Sequence, residues 1–99
     1  MEVGLLLPDV NLTLATDRGV FSAERVDRGT RYLLLDGPDL PTGPVELMDI
    51  GCGYGPIAGT MAARRPDARV WAVDVNALAR GRCRANTETA GLTNDDAFA

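Results

Sequence analysis

The sequence predicts an α/β fold built on parallel strands, and three observations carry that prediction. An apolar run, Val45 to Ile50, breaks into a turn with glycines at 51, 53 and 55 and meets Pro56 at the head of a helical pattern. A second apolar run, Val70 to Val73, has no polar alternation and ends in Asp74, as expected of a central strand covered on both faces. Between and after these runs apolar residues recur at helical spacing, so strand and helix alternate as they do in a Rossmann-like sheet. Ninety-nine residues allow one small domain, which buries only about two-thirds of its unfolded surface.

Taken in order, Val10, Leu12 and Leu14 alternate with Asn11 and Thr13, the period of a strand with one buried face. Thr16-Asp17-Arg18-Gly19 is a turn signal and Val20-Phe21 offers a returning strand, which predicts an N-terminal hairpin. Thr30 is placed to cap a short helix through Tyr32 to Leu35, ending before Gly37-Pro38, and Pro38 to Pro44 is a stiff loop. After the strand Val45 to Ile50, the residues Ile57, Ala58, Met61 and Ala62 mark the inner face of a helix closed by Arg64-Arg65-Pro66-Asp67. Trp71 in the next strand is expected in the core, Asn76 caps a helix from Ala77 to about Ala90, and Gly91 stops it. The remainder, Thr93 to Ala99, is too polar for a further buried strand and is expected to be a tail. This divides the chain into a hairpin and helix over 1–44, a βαβα unit over 45–92 and a tail over 93–99.

The composition excludes several functions. The chain has no histidine and only two widely spaced cysteines, Cys52 and Cys83, so it offers no zinc set, no disulfide framework and no His-activated thiol. The acidic N-terminus and short apolar run do not make a signal peptide, and no stretch approaches membrane-spanning length, which predicts a cytoplasmic protein. A net charge of −4 disfavours non-specific nucleic-acid binding. The charge is uneven, however: residues 1–50 hold four arginines against nine acids, and residues 51–99 hold six against five. Arg64, Arg65, Arg69, Arg80, Arg82 and Arg84 are candidates either for RNA contact or for solvated helix ends.

The glycine turn is where chemistry is expected. Glycine there accepts positive φ and leaves backbone bare for a ligand, while the following helix directs unpaired N–H groups toward it. A dinucleotide fingerprint would need a glycine at position 56, where Pro56 stands, so a nicotinamide cofactor fits poorly. Asp74 at the tip of the next strand is placed to accept ribose hydroxyls, and Asp49 to brace the turn or attract a cation.

Asp49-Ile50-Gly51-Cys52-Gly53-Tyr54-Gly55-Pro56 followed by Val73-Asp74-Val75-Asn76 resembles the first two motifs of class I S-adenosylmethionine (SAM) dependent methyltransferases. Gly19-Val20-Phe21-Ser22 with Asp27-Arg28-Gly29-Thr30 narrows the resemblance to the methyltransferase small domain family, which includes guanine-N2 methyltransferases of small-subunit ribosomal RNA. The resemblance implies the cofactor-binding part of that fold over roughly residues 10–92. It places Gly51, Gly53 and Gly55 under the methionine part of SAM, Asp49 and Tyr54 beside it, Asp74 on the ribose and Val75 against the adenine, with Cys52 counted in the same cofactor-binding loop. Phe21 and Thr30 would lie near the mouth shared by cofactor and substrate.

The same resemblance implies an Asn-Pro-Pro-aromatic motif that grips the acceptor nitrogen, and the sequence contains none. It therefore assigns no catalytic residue and no metal here. It implies ribosomal RNA as the substrate of a full-length enzyme whose catalytic half is missing, and little turnover from these 99 residues alone. The first parallel strand would lack its usual neighbour and expose an edge. Alternatives are a non-catalytic SAM-binding remnant, a fragment of a protein-glutamine or adenine amino methyltransferase, and a nucleotide-dependent oxidoreductase fragment.

Overall fold

A computed structural model of the chain describes residues 1–16 and 26–98. In chain order the elements are β1 (Glu2–Leu6), β2 (Asn11–Ala15), α1 (Arg28–Asp36), β3 (Glu46–Ile50), α2 (Pro56–Arg64), β4 (Arg69–Val73), α3 (Ala77–Thr89) and β5 (Asp95–Phe98). β1 and β2 pair antiparallel, while β3, β4 and β5 form a parallel sheet in that spatial order. The helices α2 and α3 form a middle layer, with the parallel sheet on one side and β2 on the other.

The hairpin sits one strand earlier than expected. Val3, Leu5 and Leu7 are buried in alternation with exposed residues, Pro8-Asp9 makes the turn, and the Leu7 N–H donates to the Val10 carbonyl at 2.8 Å. The partner of Asn11–Ala15 is therefore Glu2–Leu6, and the returning strand expected at Val20-Phe21 lies outside the described residues. Val3, Leu5, Leu12 and Leu14 form one apolar cluster with Leu34 of α1, Tyr54 of the glycine turn and Ala79 of α3.

α1 is capped by Asp27 rather than Thr30. The Asp27 carboxylate accepts the Thr30 N–H at 3.1 Å, which makes Thr30 the third helical residue. Arg64 at the end of α2 fixes this corner, donating to Asp9 at 2.7 and 3.1 Å and to the Leu34 carbonyl at 2.8 Å. Arg65 holds the loop after α1 through the Pro41 and Leu40 carbonyls, both at 3.0 Å. Two of the arginines considered for RNA thus serve the fold.

The second cluster joins Ala58, Met61 and Ala62 of α2 and Cys83 of α3 to Val70 and Ala72 of β4. β4 is central but covered on one face only, a departure from the expected burial on both. Val70 and Ala72 are fully enclosed under the helices, whereas Trp71 and Val73 point to the opposite face and are half-buried. Trp71 is consequently no core residue; its ring carries the Arg69 guanidinium at 4.1 Å and its indole N–H donates to Glu46 at 3.2 Å. Met48 and Ile50 of β3 share that face and are exposed. β3 lies at an edge of the described sheet.

The expected tail is instead a third parallel strand, with Val70 opposite Asp95 and Val73 opposite Phe98. Backbone bonding explains why polarity does not prevent it: the Val70 N–H donates to the Asn94 carbonyl at 2.7 Å, and the Asn94 side chain donates to the Ala62, Arg65 and Ala68 carbonyls within 3.2 Å. The register turns Asp95 toward the helices, where neither carboxylate oxygen finds a hydrogen-bond partner among the described residues. Burial, with repulsion from Asp49 and Asp96 behind it, pushes this carboxyl up to about 6 from 3.8. The folded chain then keeps a proton that the unfolded chain has released, so the stability tied to that proton is full below about pH 4 and lost as pH rises through about 6. Asp95→Asn is expected to raise Tm by several degrees at neutral pH and to flatten its fall between about pH 4 and about pH 6.5. Melting curves that coincide at every pH would show the carboxylate to be solvated.

Candidate functional site

The glycine turn connects the carboxyl end of β3 to α2. Gly51, Gly53 and Gly55 have φ of 79°, 57° and 103°, values that residues with a Cβ rarely adopt. At Gly51 a Cβ would meet no atom within 4 Å, so this part of the turn faces open space. At Gly55 it would lie 3.0 Å from the Cys83 sulfur, so here the backbone runs tightly over α3. The Gly51 and Cys52 N–H groups both donate to the Val73 carbonyl, at 2.6 and 2.9 Å, which ties the turn to the end of β4. Pro56 takes the first helical position, as its missing N–H favours.

Two carboxylates brace the turn from either side. Asp49, buried in β3, accepts the Ala58 N–H at 3.1 Å and so satisfies one of the open donors at the start of α2. Burial raises its carboxyl above the ordinary range, against the lowering effect of that hydrogen bond. Asp74, half-buried after β4, accepts the Gly53 N–H at 3.0 Å on one oxygen and the Asn76 N–H at 2.8 Å on the other. A carboxylate offers about four lone-pair sites, so Asp74 retains capacity for further donors. Arg80 holds the same corner, donating to the Asp74 carbonyl at 2.7 Å.

A cavity of about 100 Å³ opens on the turn, lined by Gly51, Cys52, Gly53, Tyr54, Pro56 and Ile57 together with Asp27 and Thr30 of α1. The structure thus brings four of the expected site residues to one cavity, and Thr30 joins them. Asp49 lies beneath, Gly55 at the helix start, and Asp74 beside Gly53. Val75 is 97% exposed next to Asp74, and Phe21 is outside the described residues. Asp27 was legible only as part of the upstream block; its place in the cavity follows from its capping role. Among the described residues no group of His, Cys, Asp and Glu is assembled to hold a metal ion.

A sequence profile of the methyltransferase small domain family matches residues 11–98. The chain belongs to that family. Curated relatives include the uncharacterized protein YbxB of Bacillus subtilis, 39% identical over 89% of this chain and 43% of that one. A ribosomal RNA small subunit methyltransferase C from Pseudomonas putida is 40% identical over 92% of this chain and 27% of its own length. Among solved structures, the 16S rRNA N2 methyltransferase RsmC of T. thermophilus in complex with AdoMet and guanosine superposes with a TM-score of 0.81 at 25% identity, over 99% of this chain and 27% of that one. A precorrin-6y C5,15-methyltransferase of Geobacter metallireducens shares the fold, at a TM-score of 0.64 and 20% identity. The chain therefore spans between about a quarter and two-fifths of these relatives, and its parallel sheet with α2 and α3 is part of the Rossmann-like methyltransferase fold.

Within this methyltransferase small domain one buried residue at the site was not singled out by sequence. Asn86 of α3, 4% exposed, accepts the Ala15 N–H at 2.8 Å and donates to the Ala15 carbonyl at 3.0 Å and the Tyr54 carbonyl at 2.8 Å. Its signal was weak: an asparagine in mid-helix reads as an ordinary solvated polar residue unless the helix is known to be covered on that side. The two cysteines are free thiols and buried; a side-chain hydrogen bond with Cys52, and then burial, push the Cys83 thiol far above the usual range and leave it a packing group rather than a nucleophile. Tyr54 is likewise raised, by burial first and by the Asp27 charge second.

Proposed function

We propose that the turn from Gly51 to Gly55 seats S-adenosylmethionine, and that the domain serves methyl transfer to a guanine amino group of small-subunit ribosomal RNA. The observation that supports this reading most is the glycine turn, open at Gly51 and bonded at Gly53 to Asp74, a carboxylate with acceptor capacity to spare. The residues fit the cofactor. Side-chain-free backbone at Gly51 and Gly53 would admit the methionine arm, Asp27 and Thr30 add polar groups to the same cavity, and Asp74, bonded to Gly53 outside its lining, would take the ribose hydroxyls. Val75, exposed beyond Asp74, offers an apolar edge to the adenine. When bound, the sulfonium supplies an activated methyl group, so the protein's contribution is placement and charge. The relatives named as ribosomal RNA methyltransferases, and the solved complex of one with AdoMet and guanosine, favour RNA over a protein or adenine acceptor.

The sequence carries no Asn-Pro-Pro-aromatic motif, and for these 99 residues alone the reading predicts cofactor binding with little or no turnover. Calorimetry is expected to detect SAM and to detect no NAD. An assay of labelled methyl transfer to small-subunit RNA is expected to stay near background. Heat released by NAD but not by SAM would overturn the cofactor assignment, and ordinary enzymatic rates would show that these residues hold the whole active centre.

A further inference from the structure

We propose that Asn86 is a positioning residue, which clamps the glycine turn to the end of β2 so that the geometry of the cofactor seat depends on the N-terminal hairpin. The inference rests on the reading of that turn as the cofactor seat, but the clamp itself is visible in the hydrogen bonds. An asparagine amide carries the same donor and acceptor pair as a peptide unit, and Asn86 uses it as a strand would. It bonds both the N–H and the carbonyl of Ala15, at 2.8 and 3.0 Å. Its remaining N–H goes to the Tyr54 carbonyl at 2.8 Å. One enclosed side chain thereby joins three segments that are distant in sequence: β2, the glycine turn and α3.

The surroundings make this joint decisive for the turn. Tyr54 is the residue between Gly53, held by Asp74, and Gly55, packed over Cys83. Glycines at both flanks give the peptide planes around Tyr54 wide rotational freedom, and apolar packing of its ring does not fix which way its carbonyl points. A directed bond from a buried amide does. Without Asn86 the buried Tyr54 carbonyl loses the directed N–H that orients it, and the turn gains freedom to rotate. Glutamine or aspartate would not substitute. Glutamine is one methylene too long for an enclosed site, and aspartate has no N–H for either carbonyl.

The experiment compares Asn86→Ala and Asn86→Asp with Asn94→Ala, which removes an anchor on the far side of α2 and leaves the turn untouched. Amide hydrogen exchange is followed in the SAM-free chain, and SAM affinity is measured by calorimetry. Both Asn86 variants are expected to exchange about tenfold faster at Gly53, Gly55 and Ala15 together, and to bind SAM about tenfold more weakly, the loss of one bond to a buried group. Asn94→Ala is expected to lower Tm with those amides and that affinity unchanged. Parent-like exchange at Gly53 and Gly55 in the Asn86 variants overturns the clamp. So does an equal rise in Asn94→Ala, which would mark general loosening, and so does failure of both Asn86 variants to fold, which would make the residue a folding determinant only. A parent chain that does not bind SAM refutes the proposed function alone, because the exchange data still decide the clamp.

Discussion

Asp74→Ala is expected to weaken SAM binding by roughly 1.5–3 kcal/mol, about 10- to 150-fold in Kd. The substitution removes two things at once. It takes away the acceptor proposed for the ribose, and it releases the Gly53 N–H and the Asn76 N–H, bonded to the carboxylate at 3.0 and 2.8 Å. The second loss predisposes the turn to move even before ligand arrives. Asp74→Asn separates the effects, since its single carbonyl oxygen can keep one of the two N–H groups while the charge is lost, and its affinity is expected to fall between parent and Asp74→Ala. Calorimetric titration with SAM decides the matter, and a Kd left unchanged by Asp74→Ala would remove this residue from the site.

Gly55→Ala is expected to destabilise the fold by about 2–5 kcal/mol in urea unfolding. A left-handed backbone costs a residue with a Cβ roughly 1–2 kcal/mol, and φ of 103° is beyond the centre of that region. The added methyl would also sit 3.0 Å from the Cys83 sulfur and 3.4 Å from its Cα, an overpacked contact of roughly 1–3 kcal/mol. A double-mutant cycle with Cys83→Ala tests the partition, because removing the sulfur relieves the contact and leaves the backbone strain. A Gly55→Ala chain within about 0.5 kcal/mol of the parent would mean that the turn has another conformation of equal energy.

Much of this architecture is legible in the residues. The Val45 to Ile50 strand, the helix headed by Pro56, the Val70 to Val73 strand and the Asn76-capped helix closed at Gly91 all emerge where periodicity and end signals agree. The first strand is harder to read although Val3, Leu5 and Leu7 alternate and Pro8-Asp9 punctuates, because a short apolar run at an N-terminus has the same pattern as part of a targeting segment. Asp27 outcompetes Thr30 as the cap because the helix begins at Arg28, four residues before the apolar run from Tyr32 that marks it. β5 was illegible for a different reason: Asp95 and Asp96 contradict a covered strand, and pairing with β4 and the Asn94 anchor override local preference.

At the candidate site, sequence singles out the glycines and the two carboxylates by their spacing along one strand-turn-helix unit, and the structure draws them to one corner. What it does not reveal is how they are held. Asp49 serves an N–H of α2, Asp74 serves Gly53, and Asn86 closes the circuit from 32 residues beyond Tyr54. Contacts over such separations depend on which helix face meets the hairpin, and no local pattern encodes that.

Ile57 packs against both apolar clusters, the one under the hairpin and the one under the parallel strands. The helical layer is thus a wall shared by two rooms, and stripping either room would leave it bare along one side.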